Sequence, residues 1–198
     1  MMLTLIGPKF GRTLRVLWTL EELELDYDHL VTNPHSDDVY RVNPLGQIPA
    51  LRDGKHVLTD SLAIMNYLAD KTGSLGGQAG TPDRALIDAR INFILTEMEA
   101  PIWLMARHGF VLPKKHRAKG MRAVAEADFA RAEAKFDTLI GDNPYFAGDR
   151  FTLADIFAAD LARWASGAKI TLTSDRFKAH FARMADRPGW RRAIVALA

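Results

Sequence analysis

The chain has 198 residues, 48% of them hydrophobic and 25% charged, proportions of an ordinary globular protein that folds by burying a core. It contains no cysteine, which excludes disulfides, thiolate metal sites and every mechanism that relies on a protein thiol. Its 26 basic and 24 acidic residues give a formal charge of +2, so neither nucleic acid nor a membrane is expected as a partner, and no apolar run reaches the roughly 20 residues of a bilayer span.

The opening "MMLTLIGPKFGR" is too short in apolar residues for a signal peptide, and a cytoplasmic location is expected. Within it "MLTLI", ended by Gly7-Pro8, reads as a buried strand. "RTLRVLWTLEELEL" follows with Val16, Leu20 and Leu23 at helical spacing, and Leu14, Leu17 and Trp18 widen the stripe. "YDHLVTN" is a second strand; a right-handed crossover makes it parallel to the first. Residues 32–47 are irregular, with Asn33-Pro34 and Asn43-Pro44 as turn dipeptides. "PALRDGKHVL" is a hairpin pattern around Asp53-Gly54, and "SLAIMNYLADK" a helix with Leu62, Met65 and Leu68 on one face.

This βαβ-ββα order predicts a small mixed sheet covered by helices over residues 1–72. "TGSLGGQAGTPD" marks a linker at 73–81, and residues 82–198 read as all-helical. Pro82 opens a long helix that Pro101 bends; "RAVAEADFARAEAKFDTLIG", "TLADIFAADLARWA", "RFKAHFARMA" and "PGWRRAIVAL" supply the others. In "FTLADI", Thr152 is an N-cap with Asp155 three positions on, so a helix starts at 153. The locally basic "PKKHRAKGMR", residues 113–122, reads as a solvated helix edge. The six histidines show no ligand spacing, and no metal is expected.

"NPLGQIPAL", then Asp60-Ser61 opening a helix, a Gly-rich linker, "GDRFTLADI" and "RPGWRRA" together resemble the cytosolic glutathione transferase family, bacterial type, from about residue 2 to 192. The resemblance implies a thioredoxin-like glutathione-binding domain followed by a helical bundle domain that contributes the electrophile pocket and dimer contacts. It also implies a cis peptide bond before Pro49, with the N–H and C=O of Ile48 offered to the cysteinyl part of glutathione. Ser61 and the amides behind it then hold the γ-glutamyl carboxylate, and Asp60 faces its ammonium group. Taken alone, Pro49 also fits an edge strand, and Asp60-Ser61 alone is more often an ordinary helix cap than a ligand site. Gln47 and His35 are candidates for the glycyl carboxylate.

The catalytic position departs from the family pattern. Relatives carry a serine, tyrosine or cysteine shortly before the arginine matching Arg15, where this chain has Phe10 and Gly11. Thr13 is the only hydroxyl in that turn, so either Thr13 or the main-chain amides of Gly11 to Thr13 stabilise the thiolate, with Arg12 adding positive potential. Phe10, Trp103, Arg107 and Trp164 are candidates for an electrophile pocket between the domains, although the tryptophans also fit core packing. Glutathione is the implied co-substrate, a small hydrophobic electrophile the second substrate, and a homodimer the implied assembly, with Glu97 of one chain near the ligand ammonium of the other. Two other activities compete with conjugation of the glutathione sulfur: peroxide or disulfide reduction by bound glutathione, and glutathione binding with little catalysis.

Overall fold

The computed structural model describes residues 2–195, which form two units: the residues up to Arg84 together with those from Ala185 on, and Ala85–Met184.

The first unit contains β1 (Leu3–Ile6), α1 (Arg12–Glu22), β2 (Tyr27–Leu30), α2 (Asp37–Tyr40), β3 (Ala50–Asp53), β4 (His56–Thr59) and α3 (Ser61–Thr72). The strands lie in the order β2-β1-β3-β4. β1 and β2 are parallel, as a helical crossover requires, whereas β1–β3 and β3–β4 are antiparallel. The hairpin turn lies one position later than the sequence pattern suggests. Asp53 pairs with His56, so the two-residue loop is Gly54-Lys55, with Gly54 at φ 58°. Asp53 stays in the ladder because its carboxylate receives the Tyr67 hydroxyl (2.6 Å) and the Lys71 ammonium from α3. The irregular stretch before β3 holds the one-turn α2, capped by Ser36, whose hydroxyl accepts from Val39 N–H.

Every residue of α1 from Thr13 to Leu20 is buried, so the helix needs cover on more than its sheet side. Part of that cover comes from α9 (Pro188–Val195), which packs on α1 although a division of the chain in sequence order puts it with the helical half. Trp190 meets Trp18 edge to face at 4.8 Å. Glu22 accepts from Trp18 Nε1 (2.8 Å) and from both Arg187 Nε and Nη2 (2.9 and 2.8 Å), a bidentate pair. Arg192 Nε reaches Glu21 at 2.8 Å. Of the terminal helix expected from the sequence, Ala196 and Leu197 lie outside the described residues.

The second unit begins within α4 (Pro82–Phe93), which runs on through a wide π turn, Ile94–Glu99, into α5 (Ala100–Ala106) and a second π turn, Arg107–Val111. Pro101 has no N–H to give the preceding turn, and the helix absorbs this by widening just ahead of it. α6 (Met121–Ile140) runs between Gly120 and Gly141, both at positive φ. α7 begins at Leu153 behind the Thr152 cap and ends at Gly167, and α8 covers Asp175–Ala185. The core is aromatic, with Phe136 stacked on Phe146 at 4.4 Å and tilted on Phe177 at 4.6 Å. Asp155 knots this unit together. Its Oδ2 accepts from the Thr152 N–H (2.8 Å) and hydroxyl (3.2 Å), and its Oδ1 from the Phe146 N–H (2.7 Å), with His180 Nε2 at 2.9 Å, all of it buried.

Candidate functional site

The register of the first unit brings three chain segments to one end of the sheet. Ala50, the first residue of β3, pairs with Ile6 at the end of β1 and with Thr59 at the end of β4. The residues just past these pairs are therefore neighbours: Gly7 leaving β1, Ile48-Pro49 entering β3, and Asp60-Ser61 leaving β4. Adjacent strands stand about 4.8 Å apart, so Ile48-Pro49 and Asp60-Ser61 are within reach of one extended tripeptide.

The Ile48–Pro49 bond is cis. The Ile48 side chain packs against a buried cluster of Ile6, Val39 and Ala50, with Val42 beside it. Among the described residues, no backbone hydrogen bond engages the Ile48 N–H or C=O. The loop delivering this edge is braced by Asn43, 6% exposed, whose Nδ2 donates to the Gln47 carbonyl (2.8 Å) and whose Oδ1 accepts from Leu45 N–H (3.1 Å). Gly46 sits at φ 66°, and a Cβ there would fall 2.4 Å from His35 Nδ1. Its carbonyl accepts the His35 N–H at 2.8 Å, and His35 Nδ1 lies 3.1 Å from the Tyr40 hydroxyl. His35 and Gln47, both exposed, therefore flank the Ile48 edge.

Asp60 is the N-cap of α3, and its Oδ1 accepts from Leu62 N–H (2.9 Å) and Ala63 N–H (3.1 Å). Those two amides are therefore taken. What the helix start retains for a ligand is Ser61, its first residue, and the other Asp60 oxygen. The observed cap thus occupies one Asp60 oxygen and leaves the other, with the Ser61 hydroxyl, outside the capping bonds.

The start of α1 has no side-chain cap: Gly11 stands at the N-cap position with φ 62° and ψ −145°, and a Cβ there would meet nothing within 4 Å. Thr13 does not fill this gap. It is fully buried, its hydroxyl has no hydrogen-bond partner, and it lies against Gly7, where a Cβ would come within 2.6 Å of its Oγ1 and 3.4 Å of the Ile48 Cβ. Gly7 thus has to be glycine for β1, α1 and the Ile48 edge to close on one another. The Gly7 carbonyl is also held by His29 Nε2 at 3.0 Å. Burial lowers the His29 pKa, with nearby Lys9 adding to the fall and the Gly7 hydrogen bond opposing it.

Phe10, 61% exposed, stands at the mouth of α1, and Arg12 beside it is half-buried and engaged within the chain. In the second unit Trp103 and Trp164 are half-buried and engaged by neighbours, while Arg107 is exposed. Glu97 receives Lys135 Nζ of its own chain at 2.6 Å. Among the described residues no cluster of metal-ligating side chains occurs. The bracing roles of Gly7, Asn43, Gly46 and Tyr40 escape a sequence reading. Asn43-Pro44 does register there, as a turn dipeptide.

Residues 12–71 match the profile of the glutathione S-transferase N-terminal domain, and residues 97–188 that of the glutathione S-transferase C-terminal domain. The chain is 31% identical over 170 residues to the glutathione S-transferase GstA of Escherichia coli O157:H7, covering 82% of this chain and 79% of that one. Among solved structures it is similar to a glutathione transferase from Methylococcus capsulatus (TM-score 0.86, 26% identity, 99% of this chain and 98% of the other). A further likeness is to the theta class glutathione S-transferase from Xanthomonas axonopodis pv. citri with glutathione bound (TM-score 0.80, 25% identity, 99% of each chain).

Proposed function

Since this chain belongs to the glutathione S-transferase family and is a glutathione transferase, we propose that it holds glutathione at the sheet end where Gly7, Ile48-Pro49 and Asp60-Ser61 converge. There it would join the glutathione sulfur to small hydrophobic electrophiles. The cysteinyl residue pairs with the Ile48 N–H and C=O as an added strand. Ser61 takes the γ-glutamyl carboxylate at the positive end of α3, and the uncommitted Asp60 oxygen faces the ammonium group. Gln47 and His35 serve the glycyl carboxylate. The observation that carries this reading is the Ala50–Thr59 pairing, which sets the unpaired main-chain groups of Ile48, just ahead of β3, beside Ser61 at the start of α3.

Thiolate stabilisation falls to the amides of Gly11, Arg12 and Thr13, because the Thr13 hydroxyl is sealed under Gly7. A hydrogen bond to a charged sulfur is worth about 1.5–3 kcal/mol and a helix N-terminus about 0.3–1 kcal/mol. Together they lower a thiol near 8.5 by about one to three units. Amides alone therefore suffice for a thiolate at neutral pH only if they are well aimed, and turnover is modest where they are not.

Phe10, Trp103, Arg107 and Trp164 are proposed to contact the electrophile, and the family supports a homodimer. Calorimetry with glutathione, then ultraviolet titration of the bound thiol, tests the site. Heat of binding with a lowered thiol pKa is expected; no heat would end the assignment. Turnover of a chloronitroaromatic in preference to a hydroperoxide separates conjugation from peroxide reduction.

A further inference from the structure

From Ala100 to Ala125 the chain holds no aspartate or glutamate, yet it carries Arg107, Lys114, Lys115, Arg117, Lys119 and Arg122. The small net charge of the whole chain conceals this local excess. Arg122 is matched by Glu126 at 2.8 Å. Arg107, Lys114, Lys115 and Lys119 have no carboxylate partner among the described residues.

The segment is ordered by its own hydrogen bonds. Arg117 donates from Nε to the Leu112 carbonyl (2.7 Å) and from Nη2 to the Phe110 carbonyl (2.8 Å). Leu112 N–H closes on the Arg107 carbonyl at 2.9 Å, and Ala118 N–H donates to His108 Nδ1 at 3.0 Å. This frame leaves Phe110 72% exposed and Val111 47% exposed, side by side at the end of the second π turn. Neither side chain is walled by protein, as a small-molecule pocket would require.

We propose that residues 107–119 form a docking surface for an anionic lipid bilayer. Phe110 and Val111 enter the boundary between headgroups and acyl chains, and Lys114, Lys115 and Lys119 meet the headgroup phosphates. Charge complementarity alone would also admit an acidic peptide or a nucleic acid backbone. Those partners leave the aliphatic Val111 without an apolar counterpart; a bilayer satisfies both halves of the patch. Arg117, turned inward on two carbonyls, positions the loop and does not touch lipid.

The test is co-sedimentation of the full chain with phosphatidylcholine vesicles prepared with and without phosphatidylglycerol. Each cation near an anionic surface contributes about fivefold to partitioning. Binding is expected to the anionic vesicles only, weakening as salt is raised. The double variant Lys114→Gln/Lys115→Gln should lower the partition coefficient by about 30-fold, with melting temperature and glutathione conjugation unchanged. Phe110→Ala should lower it by about tenfold. Equal partitioning into neutral and anionic vesicles, no sedimentation at low salt, or a double variant indistinguishable from the natural chain would each overturn the proposal. Capture of polyglutamate or single-stranded DNA through the same lysines, without vesicle binding, would overturn it in favour of those partners.

Discussion

Gly11→Ser is the perturbation that most directly tests how the thiolate is made. A Cβ at Gly11 meets no atom within 4 Å, so a serine fits sterically and sets its hydroxyl at the uncapped start of α1. The backbone there, φ 62° and ψ −145°, disfavours any L-residue, at a cost of about 1–3 kcal/mol. For a chain of this size that lowers the melting temperature by about 2–12 °C. In return, a hydroxyl donating to the sulfur adds about 1.5–3 kcal/mol of preference for the thiolate, which is about one to two units of thiol pKa. Below the thiol pKa of the unmodified enzyme, conjugation should accelerate by about 10- to 100-fold. Ultraviolet titration of bound glutathione reads the pKa, and Gly11→Ala, which carries the same strain without the hydroxyl, is the control. A serine variant that binds glutathione with an unaltered thiol pKa would refute the placement of the sulfur beside Gly11.

Ser61→Ala should weaken glutathione binding by about 10- to 150-fold in calorimetry, through loss of one bond to a carboxylate, with almost no change in melting temperature because Asp60 still caps α3. Asp155→Ala leaves the Phe146 and Thr152 amides and His180 without a buried acceptor. A loss of about 3–5 kcal/mol is expected in urea unfolding, and a loss below 1 kcal/mol would contradict the knot described for the second unit. The Asp53–Lys71 pair has a pH signature. The hydrogen bond from Lys71 holds the Asp53 carboxyl below its ordinary value, so its contribution is present above about pH 4 and fades as the pH falls through that lowered value. The same bond raises Lys71, whose contribution is complete below about pH 10.5 and fades as the pH rises through the raised value. Melting temperatures of the natural chain and Asp53→Asn should therefore differ most between these limits and converge at the acid end; a constant offset across pH would exclude the pair as its source.

Much of this architecture is legible in the sequence, because alternation, helical spacing and caps are local. Thr152-Asp155 announces the start of α7 within four residues, and the parallel β1–β2 pair follows from one short crossover. The cis bond before Pro49 is legible only through a resemblance, since a proline at a strand mouth has several meanings until its neighbours are known. What escaped was set by tertiary contact. The hairpin turn moved to Gly54-Lys55 because Lys71 and Tyr67, more than ten positions away, hold Asp53 in the ladder. Nothing near Thr13 in the sequence tells that Gly7 will lie on its hydroxyl, and nothing near α9 that its partner is α1. The π turns around α5 have no periodicity signal of their own, although Pro101 marks where the helix must give.

The contacts of Glu22 with Arg187 and of Trp18 with Trp190 join positions separated by most of the polypeptide. During synthesis, therefore, the helix beginning at Arg12 waits without its clamp until residues 187–192 have left the ribosome, and the unit that holds the sheet is finished after the bundle encoded downstream of its strands. Cutting such a gene at the glycine-rich connection would yield a fragment with a bare tryptophan and a stranded carboxylate on one flank of its central helix.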